Sequence, residues 1–256
     1  MRRRVVLGLI VVLTLAARAR AQGPTAAQIL DRARQASALG LVGAQATIRL
    51  DVDDGHGQKK ERRLSASAIA LPGGEVRRLV KFEEPADVRG VALLVVEKPG
   101  SPPERLLYLP TQRRVRHVSR SAGGGRFLET DFSYADLDLA GGAEDTSERL
   151  ADQTLDGNLC FVVATKPAHS PYGKIETWVD QKTGVTLKVV FQNSAGQPLK
   201  ELDVARVRQV DGRWYAFESV MRTLAAGSNT TLTIEKLDPR AKLTPDDFTS
   251  AALGRP

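Results

Sequence analysis

Three histidines and a single cysteine are the first places to look for reactive chemistry in this 256-residue chain, and none stands in a catalytic or metal-binding pattern. His56 lies in a Gly-rich turn, His117 in an Arg-rich strand, and His169 in the Pro167-Ala168-His169-Ser170-Pro171 segment. Nucleophilic or general-base catalysis needs a reactive group beside a second group that activates it, and no such motif is present. Metal chemistry fares no better. The chain has neither His-x-x-x-His nor Cys-x-x-Cys, and Asp51-Val52-Asp53-Asp54-Gly55 lacks the Glu that would close a calcium loop. That acidic run is expected to be a solvated hairpin tip. Glu83-Glu84 and Asp246-Asp247 are adjacent, so on a strand their members point apart and cannot share acid–base work. Cys160, within the apolar run Leu159 to Val163, is expected to be a buried, inert thiol, and a lone cysteine excludes an intramolecular disulfide. The chain is therefore expected to be non-enzymatic, with no catalytic residue, cofactor or metal.

The strongest polar cluster is basic: Arg113, Arg114, Arg116, His117, Arg120 and Arg126. On an extended strand Arg114 and Arg116 share one face, and Val115 and His117 share the other. Two roles fit such a cluster. One is a rim, formed by Arg113, Arg114, Arg116 and Arg120, that meets anionic lipid headgroups or an acidic partner; the other is a charged edge that discourages sheet-to-sheet aggregation.

The elements that must position these groups are mostly strands. Thr25 can cap one short amphipathic helix, with Ala26, Ile29, Leu30 and Ala33 on its apolar face and an end near Gly40. From there the period changes to two, as in Ala46, Ile48, Leu50 and Val52 against Gln45, Thr47, Arg49 and Asp51. Similar runs follow to the C-terminus, with sharp hairpin signals at Asp180 to Gly184 and Asn193 to Gly196. Most connections are too short for a crossover helix, so the strands form an antiparallel meander. Eleven or twelve such strands by this reading cannot lie easily in one open sheet, so a strongly curved sheet, an incomplete β-barrel, is expected. Ser133 to Leu150 is expected to be a second cover, a loop with short helical turns broken by Gly141-Gly142.

Residues 1–21 resemble an export signal, with Arg2, Arg3 and Arg4, an apolar stretch from Val5 to Leu15, and Ala19-Arg20-Ala21 before Gln22. The apolar stretch is shorter than the roughly 20 residues a membrane span needs. Five of the 37 Lys/Arg lie in this leader, and the remaining 32 nearly balance 30 Asp/Glu. A near-neutral mature chain of residues 22–256 argues against nucleic-acid binding. It is expected to be a single domain, soluble in the periplasm.

Three blocks carry a resemblance: Phe82, Pro85, Asp87 and Gly90; Leu107-Tyr108-Leu109-Pro110 with Arg114 and Arg116; and Phe127 with Asp131-Phe132-Ser133-Tyr134 and Asp136-Leu137. Together they resemble the outer membrane lipoprotein-sorting protein family, related to the LolA and LolB carriers. The Trp178 to Lys188 hairpin is similar as well. The resemblance implies an antiparallel half-barrel capped by helices around an apolar cavity. It also implies a periplasmic carrier or chaperone that shields lipoprotein acyl chains, or another hydrophobic lipid, between an inner-membrane transporter and an outer-membrane acceptor, with transient membrane contact. An alternative is an accessory module that senses lipid or a partner and regulates a transporter or an envelope response. The apolar strand faces nominate Val91, Leu93, Val95, Leu107, Leu109, Val189 and Phe191 as cavity walls, although a filled core would show the same pattern.

Overall fold

The computed structural model describes residues 23–36, 41–138 and 144–255, without the side chain of Arg120. The expected leader and residues 139–143 of the expected second cover lie outside the described residues. One helix, α1 (Ala26–Ala36), precedes the strands β1 (Ala44–Asp53), β2 (Lys59–Ala70), β3 (Val76–Glu84), β4 (Ala92–Glu97), β5 (Glu104–Leu109), β6 (Arg114–His117) and β7 (Thr146–Arg149). There follow β8 (Gln153–Leu155), β9 (Asn158–Lys166), β10 (Lys174–Asp180), β11 (Thr186–Gln192), β12 (Pro198–Val210), β13 (Arg213–Thr223) and β14 (Ser228–Asp238).

All belong to one 14-stranded sheet, ordered β6-β5-β4-β3-β2-β1-β14-β13-β12-β11-β10-β9-β7, with β8 also on β9. Each pairing is antiparallel. Pairing of β1 with β14 joins the two halves of the meander, while β6 and β7 remain as separate edges, so the sheet is an open half-barrel.

Local chemistry sets the turns. Asp180 Oδ2 accepts from the Thr183 amide at 2.9 Å, and Gly184 takes φ +77° to enter β11. Asn193 Oδ1 accepts from the amides of Ala195 and Gln197, each at 2.9 Å, which closes the β11–β12 hairpin. At the start of α1, Thr25 and Gln28 form a reciprocal capping box: the Gln28 amide donates to Thr25 Oγ1 at 3.3 Å, and the Thr25 amide donates to Gln28 Oε1 at 2.9 Å.

The inner face of the sheet carries one contiguous core, from Ile48 and Leu50 through Phe82, Leu93 and Leu107 on one side to Phe191, Tyr215, Met221 and Leu232 on the other. Helix α1 lies on this face over β9 and β10, with Ile29 and Ala33 packed in a cluster with Val163 and Val179. On β4 the alternate residues Ala92 and Leu94 face outward, where Phe248 and Leu253 of the C-terminal segment cover them. The apolar double face of β4 thus has two different partners, and its outer one is the C-terminal segment that includes the 3-10 turn Pro245–Phe248.

Two strands depart from the sequence expectation. Within Ser133 to Leu150 a short 3-10 turn, Tyr134–Leu137, does form, but β7 follows it, and β8 lies just beyond. Both are short edge strands rich in polar residues, as Thr146-Ser147-Glu148-Arg149 shows, so they lack the alternation that marks a half-buried strand.

Candidate ligand cavity

The three sequence blocks that carry the resemblance meet in space. Phe82 and Phe127 pack with ring centroids 5.6 Å apart, and Phe127 meets Tyr134 at 5.5 Å. Gly90, at φ +79°, passes so close to Pro110 that a Cβ there would lie 3.2 Å from Pro110 Cγ. The Asp-Phe-Ser-Tyr-x-Asp-Leu run, residues 131–137, is laid over the inner face and pinned by its acids. Asp131 is fully buried and accepts hydrogen bonds from the hydroxyls of Thr223 at 2.6 Å, Thr230 at 2.8 Å, and Ser228. Asp136 accepts from the Ser133 amide at 2.6 Å, from Lys200 Nζ at 2.8 Å and from the Tyr172 hydroxyl at 2.6 Å.

Arginines hold the rest of this plug. Arg78 donates to the Leu137 carbonyl at 3.1 Å and pairs with Glu97 at 2.9 Å, with both side chains buried. Arg105 makes a two-pronged contact with Asp138, its Nε 2.9 Å from Oδ1. Burial pushes the Asp138 carboxyl above its ordinary value, while Arg105 opposes the shift. Arg62 holds the Leu128 carbonyl and lies 3.4 Å from Glu129. Each of these buried charges has an opposite charge or a carbonyl beside it, although Arg78 Nε itself is buried without a hydrogen-bond partner among the described residues; an unpaired buried charge is costly.

Between this plug and α1 the inner face is not filled. A cavity of about 600 Å³ runs there, within the range of small-molecule sites. Its roof is Ala27, Leu30 and Ala33 of α1; its floor is Ile175, Val189, Phe191, Leu202, Val204, Met221 and Leu232; Phe132 and Tyr172 close one side. Tyr172 stacks near Phe191 with centroids 4.8 Å apart. The lining changes from buried Met221 and Leu232 to exposed Ala27, Ser101, Glu144 and His169, so the cavity reaches the surface at that end. Thr177, Thr186 and Ser219 add hydroxyls to the apolar roof and floor, and the charged Arg105, Asp136 and Asp138 also border the space. This arrangement can take up an apolar chain and offers a few hydrogen-bonding positions to a polar group attached to it.

The expected wall residues separate into two groups. Val189 and Phe191 line the cavity. Val91, Leu93, Val95 and Leu107 are buried in the filled part of the inner core, with Leu109 packed against it, and none of these five borders the cavity. The larger share of the wall comes from α1, β10, β12, β13 and β14, which the sequence reasoning did not nominate. The alternation of Leu202 and Val204 was visible, but which part of a curved sheet stays unfilled depends on long-range closure. Of the basic cluster, Arg114 and Arg116 lie exposed on β6, opposite Leu109 and Leu107, and Arg113 occupies the preceding turn at φ +46°. His56, His117 and His169 stand far apart in the chain on exposed positions, and among the described residues no group of three or more His, Cys, Asp or Glu is placed to hold a metal. No helix among the described residues is long and apolar enough to cross a membrane.

Known structures share this architecture. The chain is similar to a domain given as that of an outer membrane lipoprotein-sorting protein from Vibrio parahaemolyticus, with 27% identity over 83% of this chain and 91% of that one and a TM-score of 0.77. A DUF1329 family protein from Desulfovibrio piger shares 23% identity over 82% of this chain and 90% of that one, with a TM-score of 0.76. A LolA superfamily protein from Nitrosomonas europaea shares the fold at 17% identity, with coverage of 89% and 99% and a TM-score of 0.69. No curated protein matches the sequence. A family model described as an uncharacterized protein matches residues 74–255. The chain belongs to the family of that model, and its structural neighbours, with the plugged half-barrel and the converging sequence blocks, are outer membrane lipoprotein-sorting, DUF1329 and LolA superfamily proteins.

Proposed function

We propose that this protein is a non-enzymatic carrier that holds the acyl chain of a lipoprotein or another lipid in the cavity beneath α1. The observation that supports this most directly is the cavity itself, about 600 Å³ walled by Leu30, Phe132, Ile175, Val189, Phe191, Leu202 and Met221 and open at one end. Burial of each methylene contributes about 0.8 kcal/mol, so a 16-carbon chain represents on the order of 10 kcal/mol of transfer free energy. That is enough for capture from water without any covalent step. Release then requires an acceptor that offers the chain an equally apolar environment, which a membrane or a second carrier supplies.

The mode of action follows from which parts are pinned. The 127–138 plug is tied by buried ion pairs and hydroxyls, whereas α1 rests mainly on a small apolar cluster, with Ala36 reaching the main core. The hydrogen bonds that hold it involve no buried ion pair among the described residues: two run from Arg32 to the carbonyls of Gln181 and Lys182, at 3.4 and 3.1 Å, and one from Arg149 to the Pro24 carbonyl just before the helix. Helix α1 is accordingly the element that yields to an incoming chain, and the plug is the fixed wall. Delivery between membranes also needs export, and the leader-like residues 1–21 fit a periplasmic location, with a mature chain that begins at Gln22.

Mass spectrometry of lipid extracted from protein purified from the periplasm tests the reading. A stoichiometric acylated lipid in the wild type, strongly depleted in Leu202→Glu at unchanged fold, is the expected result. Lipid-free wild type that also fails to take up a fluorescent fatty acid or a diacyl lipid would overturn it.

A further inference from the structure

The two edges of the sheet are finished differently. At the β7 edge, Arg149 Nη1 donates to the Pro24 carbonyl at 3.2 Å and the guanidinium stacks 4.7 Å over the Phe161 ring, so the segment leading into α1 is tied down there. At the other edge all four residues of β6 are exposed, and no described strand lies beyond them.

The hydrogen-bond phase of β6 identifies which groups are bare. The Val118 amide donates to the Arg105 carbonyl at 2.9 Å, which turns Val118 toward β5. In an antiparallel ladder only alternate residues turn their N–H and C=O to the same neighbour. Arg116 and Arg114, paired with Leu107 and Leu109, therefore also face β5, and Val115 and His117 direct their N–H and C=O outward. None of these outward groups has a backbone partner among the described residues. The side chains of Arg114 and Arg116 share the inner face with Leu109 and Leu107, and neither arginine forms an ion pair among the described residues. Val115, on the outer face, is 39% exposed.

We propose that β6 is a docking edge that accepts an extended acidic segment of a protein partner as an added antiparallel strand, with Glu or Asp at alternate positions facing Arg114 and Arg116. Charge selects this occupant over a second copy of the chain. Two-fold pairing of β6 with itself through Val115 and His117 would place Arg114 opposite Arg116, or Arg116 opposite itself, and like charges directly opposite destabilise a sheet. Strand addition supplies what a headgroup cannot, a register of donors and acceptors that matches the outward groups of Val115 and His117. A short edge makes few backbone bonds, so binding should depend strongly on the charges and weaken with salt. The inference is independent of what fills the cavity.

The test uses the full mature chain and a short synthetic peptide alternating Glu and Val, with its Lys/Val counterpart as control. Amide exchange and nitrogen–proton NMR spectra should show protection confined to Val115, His117 and their neighbours with the acidic peptide only, and binding should weaken about tenfold between low and physiological salt. Val115→Pro removes one outward N–H without touching the β5 ladder, so it should abolish protection while Tm stays unchanged. The doubly substituted Arg114→Glu, Arg116→Glu protein, altered only at exposed side chains, should switch its preference to the Lys/Val peptide, and it decides the matter if Val115→Pro fails to fold. Absence of protection, equal binding of both peptides, or binding to phosphatidylglycerol vesicles in place of the acidic peptide would overturn the proposal.

Discussion

The phenol of Tyr172 donates a 2.6 Å hydrogen bond to Oδ1 of Asp136, and so joins a wall of the cavity to the plug that closes the neighbouring part of the half-barrel. Tyr172 lies between β9 and β10, while Asp136 lies in the 3-10 turn after the Asp-Phe-Ser-Tyr run. Burial, reinforced by the charge of Asp136, pushes the phenol far above its ordinary value of 10.0, so it remains a donor at any physiological pH. The same aromatic ring packs on Phe191, so one residue shapes the cavity and fixes the plug beside it.

Tyr172→Phe keeps the ring and removes the donor. Asp136 retains Lys200 and the Ser133 amide, while the Ser133 hydroxyl, 3.2 Å from the phenol, also loses a partner, so the loss is one hydrogen bond to a charged group and one between hydroxyls, roughly 2–4 kcal/mol. Denaturant unfolding should show this decrease at an unchanged m-value, and a loss below about 0.5 kcal/mol would mean that the bond contributes nothing net.

Asp131 provides a second test of the pinned plug. Asp131→Asn preserves shape, but the amide nitrogen cannot accept from one of the three hydroxyls that surround it. A cost of about 1–3 kcal/mol is expected. Limited proteolysis should detect earlier cleavage within 123–138 than in the wild type, and an unchanged pattern would show that the plug is held without Asp131.

Much of this architecture was legible in the chain, and what was missed has a physical reason. Strand period and turn residues located the meander, because Asp180, Asn193 and their glycines act locally and need no knowledge of the rest of the fold. The capping of α1 by Thr25 was equally local. β7 and β8 were not visible, since short edge strands whose residues are mostly exposed need no apolar alternation. The filled core and the cavity also read alike: Leu93 and Leu202 are both inward-facing strand residues, and only sheet closure decides that the first is packed and the second borders open space. The motif acids Asp131 and Asp136 were noted as part of a resemblance, yet their partners Thr230, Lys200 and Tyr172 lie between 36 and 99 residues away.

That distinction between Leu93 and Leu202 can be measured. Leu93 is fully buried, so Leu93→Ala should leave a new void and cost about 2–5 kcal/mol. Leu202 is only partly buried and borders existing space, so Leu202→Ala should cost clearly less while altering the amount or length of bound acyl chain. Equal losses of stability with no change in bound lipid would place Leu202 in ordinary core.

The C-terminal cover on β4 should be sensitive to acid, through Asp247. Its carboxylate accepts from the Thr244 amide and hydroxyl, each at 2.8 Å, and these bonds hold its pKa below the ordinary 3.8. The turn it closes, Pro245–Phe248, delivers Phe248 onto Ala92 and Leu94. Because the folded value is depressed, the folded protein binds the proton less readily than the unfolded chain does. The contribution is present above pH 3.8 and is lost as pH falls through the lower folded value. Methyl resonances of Leu253, which packs in the same cluster, should shift in that acidic window ahead of global unfolding. In Asp247→Asn, which keeps an acceptor but has no proton to bind there, the separate step should disappear. If Leu253 moves only with the whole protein in both variants, the capping carboxylate does not control the cover.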